Sequence, residues 1–334
     1  MNWYLTNGPE SDVVISTRIR FARNIKDINF INKCDNEELE KVLTVAKEKL
    51  TSKDLNFYRF NDMDDITRLS LVEKHCISPD ILRKGIDNTG ILINDDENIS
   101  IMVNEEDHLR IQVISSGLQL NDTLKLACKC DEEISKKIKY AYNEKYGYLT
   151  SCPTNVGTGM RASVMLHLPG LTMTRRIGKV LDVMNKIGIN VRGIYGEGTD
   201  SQGNLYQISN KVSLGLTCEE IVQNLNTVVE KIIIQERNAR KYLFEKGIDF
   251  EDRLCRAYGI LANARKMSSK ECNKLLSDVK LGIDLGIIKN VTPEKINKLN
   301  IYTKPASLQK YLGEVLTEEE RDIKRCEVIK NILK

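Results

Sequence analysis

The sequence predicts an α+β fold, a largely antiparallel sheet flanked by helices, followed by a small all-α domain. Polar turns separate three short β-prone runs, which is typical of an antiparallel meander: ILIN (91–94), ISIMVN (99–104) and LRIQVIS (109–115). Strand patterns end near residue 245, beside the helix breaker Gly247, and only helical spacing follows. We therefore expect two domains, residues 11–245 and 246–334.

Helical spacing surrounds the predicted sheet. A helix at 35–50 begins with Asp35 and Glu38, which have the spacing of a capping pair. Thr217 and Glu220 have the same spacing at the start of a long helix. The remaining predicted elements are strands at 162–168, 189–196 and 204–210, one continuous helix at 171–188, the long helix at 217–244, and C-terminal helices at 251–267, 268–282, 292–300 and 317–334.

The composition is that of an ordinary globular protein that buries a substantial core. The 334 residues are 41% hydrophobic and 29% charged, and the net charge of +3 gives no basic footprint for nucleic acid or an anionic membrane. We find no signal-peptide pattern and no apolar run near the ~18 residues that span a bilayer. Nine cysteines without paired CxxC spacing favour reduced thiols, so we expect a cytoplasmic protein with no direct metal ligands.

The stretch NEEDHLRIQV (104–113) places three acids at a turn before a strand that carries Arg110. If Leu109 and Ile111 face the core, Arg110 points to the other face of the sheet. Taken alone, this stretch is better explained by a solvated hairpin.

Arginines in predicted extended segments recur along the chain, at Arg18, Arg20, Arg110, Arg161 and Arg192. Guanidinium groups on one sheet face repel one another unless an anion lies between them, and a polyphosphate matches their forked geometry. Each arginine alone fits a surface position. The sequence has no G-x-x-x-x-G-K-[ST] loop, so these side chains would have to replace a P-loop.

Five segments occur here in the order found in one enzyme family: STRIRFARN (16–24), VEKHCIS (72–78), NEEDHLRI (104–111), SCPTNVGTGMRASVMLHLP (151–169) and VRGIYGEG (191–198). They resemble the ATP:guanidino phosphotransferases, the family of the creatine and arginine kinases, and span about residues 11–240. The resemblance implies a guanidino kinase catalytic domain of glutamine-synthetase-like fold. ATP would bind on the exposed face of its sheet together with Mg²⁺.

The resemblance also assigns the nucleotide site. It implies that the five arginines bind the phosphates and that His75 lies on the adenosine side. The complete set is Ser16, Thr17, Arg18, Ile19, Arg20, His75, Arg110, Arg161, Ala162, Ser163, Val164, Met165, Arg192, Gly193, Ile194, Tyr195 and Gly196. From spacing alone a surface or core position is favoured for His75. Spacing gives no functional support for His108 or His167, and the alternation of His167 with Met165 favours a structural role.

Three residues correspond to the catalytic set of the family. Glu106 and Glu197 would hold the substrate guanidinium and accept its proton, because a guanidinium is a poor nucleophile until a proton leaves. Cys152 matches the family's reactive cysteine and would help to orient that group. A covalent phosphocysteine is conceivable, but direct in-line transfer does not require it. Asp107 is a further candidate that would contact the metal ion through water.

The domain order resembles the bacterial protein arginine kinases of the McsB type, because helical residues follow the catalytic domain instead of preceding it. RDIKRC (321–326) resembles the family's phosphoarginine pocket motif and implies a regulatory site at Arg321, Asp322 and Arg325. Cys326 replaces the alanine of that motif. A solvated helix face is the alternative for these residues.

The resemblance therefore implies a protein arginine kinase that uses Mg-ATP, marks proteins for Clp proteases and regulates a stress-response repressor. Implied partners are proteins with exposed arginines, a McsA-like zinc-finger activator, a CtsR-like repressor and a ClpC-type unfoldase, with dimerisation through the C-terminal domain. Two alternatives stay open: a kinase of free arginine or another small guanidine, and an inactive kinase-like adaptor.

Overall fold

The computed structural model describes residues 2–83, 85–193 and 202–334, and the side chain of Gln202 is not among the described parts. Its central feature is an antiparallel sheet of eight described strands in the order β2-β3-β4-β5-β1-β8-β10-β9. A separate hairpin pairs β6 with β7. The strands are β1 (Val14–Arg23), β2 (Asn56–Arg59), β3 (Gly90–Ile93), β4 (Ile99–Val103), β5 (Leu109–Ser116), β6 (Tyr142–Asn143), β7 (Gly147–Tyr148), β8 (Met160–His167), β9 (Ile189–Gly193) and β10 (Leu205–Asn210).

The described helices are α1 (Asn36–Leu50), α2 (Asp65–Glu73), α3 (Pro79–Arg83), α4 (Leu120–Ser135), α5 (Pro169–Met173), α6 (Ile177–Lys186), α7 (Cys218–Phe244), α8 (Ile248–Asn263), α9 (Ser269–Asp284), α10 (Pro293–Tyr302), α11 (Pro305–Leu312) and α12 (Glu318–Leu333). The predicted α+β class and the antiparallel meander β3–β4–β5 are confirmed. In the described part, no helix combines the length and apolar character that a bilayer span requires.

One face of the sheet carries the main hydrophobic core. Ile19, Ile111 and Val164 alternate with polar residues along β1, β5 and β8 and are fully buried. Helices α1, α4 and α7 cover this face with apolar residues at helical spacing. The opposite face receives polar residues of β1, β5 and β8, whereas its β3–β4 end is apolar and is covered by α2 and α3.

Side-chain caps fix the helix starts where the sequence predicts them. The capping box of Asp35 with Glu38 begins α1, and that of Thr217 with Glu220 begins α7. The predicted continuous helix at 171–188 is wrong, because α5 ends at Met173 and α6 begins at Ile177. Thr174 turns its hydroxyl back to the Gly170 carbonyl at 2.7 Å, and Arg175 adopts φ +57°. These local bonds compete with the helix and end it.

The C-terminal helices α8, α9, α10 and α12 share a second core that includes Leu261, Leu276 and Ile329. Helix α11 lacks a counterpart among the predicted helices, although Pro305 starts it and Gly313 ends it in the left-handed conformation. Gly247, at φ +78°, precedes α8.

Two groups of polar contacts tie these helices to the sheet domain. In the first, Lys280 of α9 donates to the backbone oxygens of Ser11 and Asp12, at 3.0 and 3.3 Å. In the second, Glu73 at the end of α2 accepts from the backbone amides of Ala306 and Ser307 on α11. The C-terminal helices are therefore tied both to the segment that precedes β1 and to the end of α2.

Candidate active site

Strand register brings the predicted arginines onto one face. Arg20 on β1 lies opposite Arg161 on β8, and Ala22 lies opposite Arg110 on β5. Residues directly opposite each other in an antiparallel pair project from the same face of the sheet, as do alternate residues of one strand. Arg18 therefore shares this face with Arg20.

Arg192 joins the same face through β10. It lies opposite Gln207 of β10, and Gln207 lies opposite Met165 of β8. Met165 is two positions after Ser163 and four after Arg161, so it projects from the same face as both. The five arginines therefore share the face opposite the main core. We call them the arginine face: Arg18, Arg20, Arg110, Arg161 and Arg192.

Like charges crowd the centre of the arginine face. Burial, reinforced by Arg18, Arg110 and Arg161, lowers the pKa of Arg20 well below its ordinary value. Burial and the neighbouring charges of Arg192 and Arg110 likewise lower the pKa of Arg161. Among the described residues, the Nε of Arg20 is buried without a hydrogen-bond acceptor. A bound anion would relieve both the repulsion and the missing hydrogen bond.

One carboxylate partly offsets this charge. Glu105 is buried and forms an ion pair with Arg110. Its burial acts to raise the pKa of the carboxyl, but Arg110 and the amide of Glu106 outweigh this effect, so the pKa is lowered. Glu105 stays ionised and orients the Arg110 guanidinium. No pattern in the sequence distinguishes this role from those of the neighbouring acids.

Glu106 lies directly beside the arginines. The side chain is half-buried and lines a small cavity together with Arg20, Arg110, Arg161 and Asn155. Glu106 also acts electrostatically on Arg161. A carboxylate and three guanidinium groups thus face one small space, which suits an anionic donor and a cationic acceptor at once.

Asp107 joins the Cys152 loop to this turn. Its Oδ1 accepts from Asn24 Nδ2 and from the Ser151 amide, each at 2.6 Å. The Cys152 sulfur lies 3.0 Å from the Thr154 hydroxyl, and Cys152, like Glu106, acts on Arg161. The structure therefore brings Cys152 and Glu106 to the same end of the arginine face.

His75 lies at the other end of the arginine face. With Ser16, Arg18, Ser163, Met165 and Gln207 it lines a small cavity. Burial, followed by the charges of Lys304 and Arg18, lowers the pKa of its imidazole well below the ordinary value. The ring is neutral at physiological pH, which suits contact with an uncharged part of a nucleotide.

Two residues of this face belong to none of the sequence-predicted sets. Gln207 accepts from Arg18 Nη2 at 3.0 Å, and Ser209 accepts from Arg161 Nη2 at 3.1 Å. Both lie on β10, and only the strand order, which pairs β10 with β8, indicates their role. In the sequence, the alternation of polar and apolar residues in NLYQISN (204–210) was the one pattern that could have indicated these two residues.

Some predicted nucleotide contacts lie elsewhere. The side chains of Thr17, Ile19, Ala162 and Val164 are on the core face, so they support the sheet and do not reach the arginine face. Gly193 is at the end of β9. Ile194, Tyr195, Gly196 and the catalytic candidate Glu197 lie outside the described residues.

The two remaining histidines have structural contacts. His108 Nδ1 accepts from the Ile25 amide at 3.0 Å, and His167 Nε2 lies 2.8 Å from the Ser277 hydroxyl. Both rings are buried, which agrees with the structural role predicted for His167. Within the described ranges, no group of three or more His, Cys, Asp or Glu side chains has the geometry of a metal site.

The RDIKRC motif lies on α12, where its two arginines differ in exposure. Arg325 is 1% exposed and donates to the Thr303 and Met267 carbonyls at 2.8 and 2.6 Å and to Asp322 at 2.6 Å. Arg321 is only half-buried and donates to the Leu316 carbonyl at 2.9 Å. Arg325 thus anchors α12 to its neighbours, and Arg321 is the more accessible of the two.

Comparison with known proteins agrees with this geometry. Residues 36–239 match the model of the ATP:guanido phosphotransferase C-terminal catalytic domain, and residues 247–334 match that of the protein-arginine kinase McsB C-terminal domain. The chain is 45% identical to the protein-arginine kinase of Bacillus subtilis (strain 168), over 99% of this chain and 93% of that protein. It is 48% identical to that of Halothermothrix orenii, over 99% and 96%.

Solved structures support the same assignment. A crystal structure of lombricine kinase superposes with a TM-score of 0.61 at 27% identity, covering 69% of this chain and 68% of that one. The substrate-free duplicated taurocyamine kinase from Schistosoma mansoni gives 0.59 at 27% identity, covering 88% of this chain and 42% of that one. The chain therefore belongs to the ATP:guanido phosphotransferase family, in the branch that carries the McsB C-terminal domain.

Proposed function

We propose that this protein is a protein arginine kinase, which transfers the γ-phosphoryl group of ATP to the guanidinium of arginine residues in proteins. The observation that carries the proposal is the arginine face with Glu106 at one end. Crowded guanidinium groups suit a triphosphate, and a carboxylate beside them suits the incoming guanidinium. The relatives named above, similar over nearly the whole chain, support a protein as the acceptor.

In the proposed reaction, a terminal nitrogen of the substrate arginine attacks the γ-phosphorus. The N–P bond forms as the bond to the β–γ bridging oxygen breaks, and ADP leaves. The nitrogen gives up a proton to a carboxylate, for which Glu106 and the undescribed Glu197 are the candidates. A guanidinium with a pKa above ~12 keeps its proton at neutral pH and is then a poor nucleophile. The proton must therefore leave while the nitrogen is aligned with the γ-phosphorus.

The arginine face would stabilise negative charge on the transferring group. Arg20, Arg110 and Arg161, which share the cavity with Glu106, would contact the γ-phosphoryl, and Arg18 would contact phosphates nearer the nucleoside. Cys152 would orient the acceptor guanidinium from the Thr154 side.

Mg²⁺ would be held mainly by the nucleotide. Asp107 is the candidate for a water-mediated contact with the metal ion, and its Oδ1 also accepts two hydrogen bonds from the protein. When bound, the metal ion would neutralise phosphate charge and align the triphosphate.

The finer predictions are part of this proposal. They comprise a phosphoarginine pocket at Arg321, Asp322 and Arg325, dimerisation through the C-terminal helices, and a cytoplasmic location. They also comprise a McsA-like activator, a CtsR-like repressor and a ClpC-type unfoldase as partners.

The direct test is incubation with Mg-ATP and either an unfolded protein or free arginine. We expect acid-labile phosphate on the protein's arginines, identified by mass spectrometry at neutral pH, and little on free arginine. Phosphorylation of free arginine alone would favour the small-guanidine alternative. No transfer to either acceptor, with ATP binding intact, would favour the inactive adaptor.

A further inference from the structure

Among the described residues, five exposed apolar side chains border the loop that carries Cys152. They come from the β6–β7 hairpin and from the segment between β10 and α7, and each is between 39% and 58% exposed. Single exposed apolar residues are ordinary on a folded protein, but a group on two adjoining segments is not. We call this group the apolar patch: Tyr142, Tyr146, Val212, Leu214 and Leu216.

Close backbone contacts join the two halves of the apolar patch. In the loop that carries Cys152, the Gly157 carbonyl accepts from the Tyr148 amide of the hairpin at 2.9 Å, and the Tyr142 ring packs edge-on against the Tyr148 ring. A Cβ at Gly157 would lie 2.9 Å from Leu214 Cα, nearer than real Cβ atoms approach. The hairpin, the loop and the segment after β10 are therefore packed backbone against backbone.

The apolar patch adjoins the end of the arginine face that holds Glu106 and Cys152. Ser213, which is buried, donates its hydroxyl to the Thr154 carbonyl at 3.3 Å. The Thr154 hydroxyl lies 3.0 Å from the Cys152 sulfur, and the next residue, Asn155, lines the cavity that contains Glu106. One short loop thus contacts the apolar patch through its backbone and the candidate site through its side chains.

This arrangement limits what can lie over the apolar patch. In the proposed reaction the acceptor guanidinium belongs to a protein, so the residues on either side of that arginine stay outside the cavity, beside the Cys152 loop. Burial of apolar surface at these positions would favour binding. Folded proteins keep most of their large apolar side chains inside, whereas an unfolded segment exposes them next to its arginines.

We propose that the apolar patch binds an unfolded segment of the acceptor protein through apolar side chains that flank the target arginine. The inference rests on the proposed function and deepens it, because it names what distinguishes one arginine from another. Glu106 presents the same charge to every guanidinium, so the neighbouring residues must supply the difference. Free arginine has no such residues and gains nothing from the apolar patch.

Two peptides of equal length, each with one central arginine, test this preference. Leucines flank the arginine in the first peptide, and serines flank it in the second. With full-length protein and Mg-ATP, we expect the KM of the leucine peptide to be lower by about tenfold, as burial of one or two leucine side chains allows. Similar kcat values should accompany this difference, and equal KM values would overturn the inference.

A double substitution assigns the preference to the apolar patch. Tyr146→Ser with Leu214→Ser removes apolar side chains and keeps the backbone contacts, so we expect the KM of the leucine peptide to rise about fivefold. Ile234→Ser is the matched control, because Ile234 is 58% exposed on α7, which covers the core face of the sheet. It should keep the wild-type preference, and thermal melting checks that each variant folds.

An undiminished preference in the folded double variant would overturn the role of the apolar patch. Fluorescence anisotropy of the labelled leucine peptide measures binding without transfer, so it tests the apolar patch even if no phosphorylation occurs. Failure of the wild-type protein to phosphorylate either peptide would overturn the proposed function instead. Weaker self-association of the double variant, with peptide binding unchanged, would assign the apolar patch to a second copy of this chain and overturn the inference.

Discussion

Arg20 and Arg23, three residues apart on β1, show how position determines the role of an arginine. Arg23 is 2% exposed on the core side, where Asp131 forms an ion pair with it at 2.7 Å and Tyr148 lies under its guanidinium. Arg20 instead faces three other arginines, and its pKa is lowered by burial and by those charges. The first arginine stabilises the fold, whereas the second lies among like charges, and in the proposed site a bound anion would offset them.

Glu106 carries the first prediction. Glu106→Gln keeps the size of the side chain and removes its charge, so it should no longer hold a guanidinium or accept its proton. We expect kcat for arginine phosphorylation to fall by about 10²–10⁴-fold, with ATP affinity nearly unchanged. Single-turnover kinetics and calorimetric ATP titration measure the two quantities.

Glu132→Gln is the control for this substitution, because Glu132 is an exposed acid on α4. It should leave kcat unaltered. A Glu106→Gln protein with wild-type kcat would show that Glu106 neither binds the acceptor guanidinium nor accepts its proton.

At the scale of elements, α7 holds the sheet domain to the C-terminal helices. Arg240 is 4% exposed at its side chain and binds Glu236 at 2.7 Å and Asp284 at 3.2 Å. It also donates to the backbone oxygens of Asp12 and His167, each at 3.1 Å. One guanidinium thereby joins α7, α9, β8 and the N-terminal segment.

Arg240→Met should therefore destabilise the protein strongly. Removing one partner of a buried ion pair leaves the other charges uncompensated, which costs about 3–5 kcal/mol. Arg237→Met, nearly one turn earlier on α7, removes pairs to Glu10 and Asp12 that are far more exposed, and should cost less than about 1 kcal/mol. Urea denaturation followed by circular dichroism measures both, and equal losses would refute the difference in role.

At the scale of the whole molecule, all three histidines are neutral. Burial is the first cause in each case, and it lowers the pKa of His75, His108 and His167 below the ordinary value of 6.5. The folded protein therefore resists protonation at sites that the unfolded chain protonates readily. By linkage, the free energy of unfolding is retained at pH values above the ordinary histidine pKa of 6.5, and it falls as the pH drops below 6.5.

We expect the free energy of unfolding to decline between pH 7 and pH 5.5. Each fully buried histidine contributes at most about 1.4 kcal/mol per pH unit. Chemical denaturation at a series of pH values gives the slope, and His167→Gln should make it shallower because one titrating group is lost. A flat profile over this range would contradict the neutral burial of these rings.

Much of the architecture was predictable from local patterns. Alternation in LRIQVIS and capping pairs such as Thr217 with Glu220 correctly predicted strands and helix starts, because both depend on neighbours in sequence. The interruption at Arg175 was missed, since threonine hydroxyls that bond back to carbonyls leave little mark on apolar spacing.

The candidate site was predictable only as residue types. Alternation placed Arg18 and Arg20 on one face, but their meeting with Arg161 depends on which strands are neighbours. The roles of Gln207 and Asp107 depend on the same long-range pairing. The apolar patch joins two segments that are distant in sequence, and no local pattern reports their contact.

The most direct test of the central claim is the affinity of Arg161→Met for ATP and for tripolyphosphate, measured by calorimetry. A charge-assisted hydrogen bond contributes about 1.5–3 kcal/mol, so affinity for both ligands should fall at least tenfold. Arg59→Met is the control, because Arg59 pairs with Glu40 at a partly exposed position outside the arginine face. Wild-type affinity for both ligands in Arg161→Met would contradict a triphosphate site on this face of the sheet.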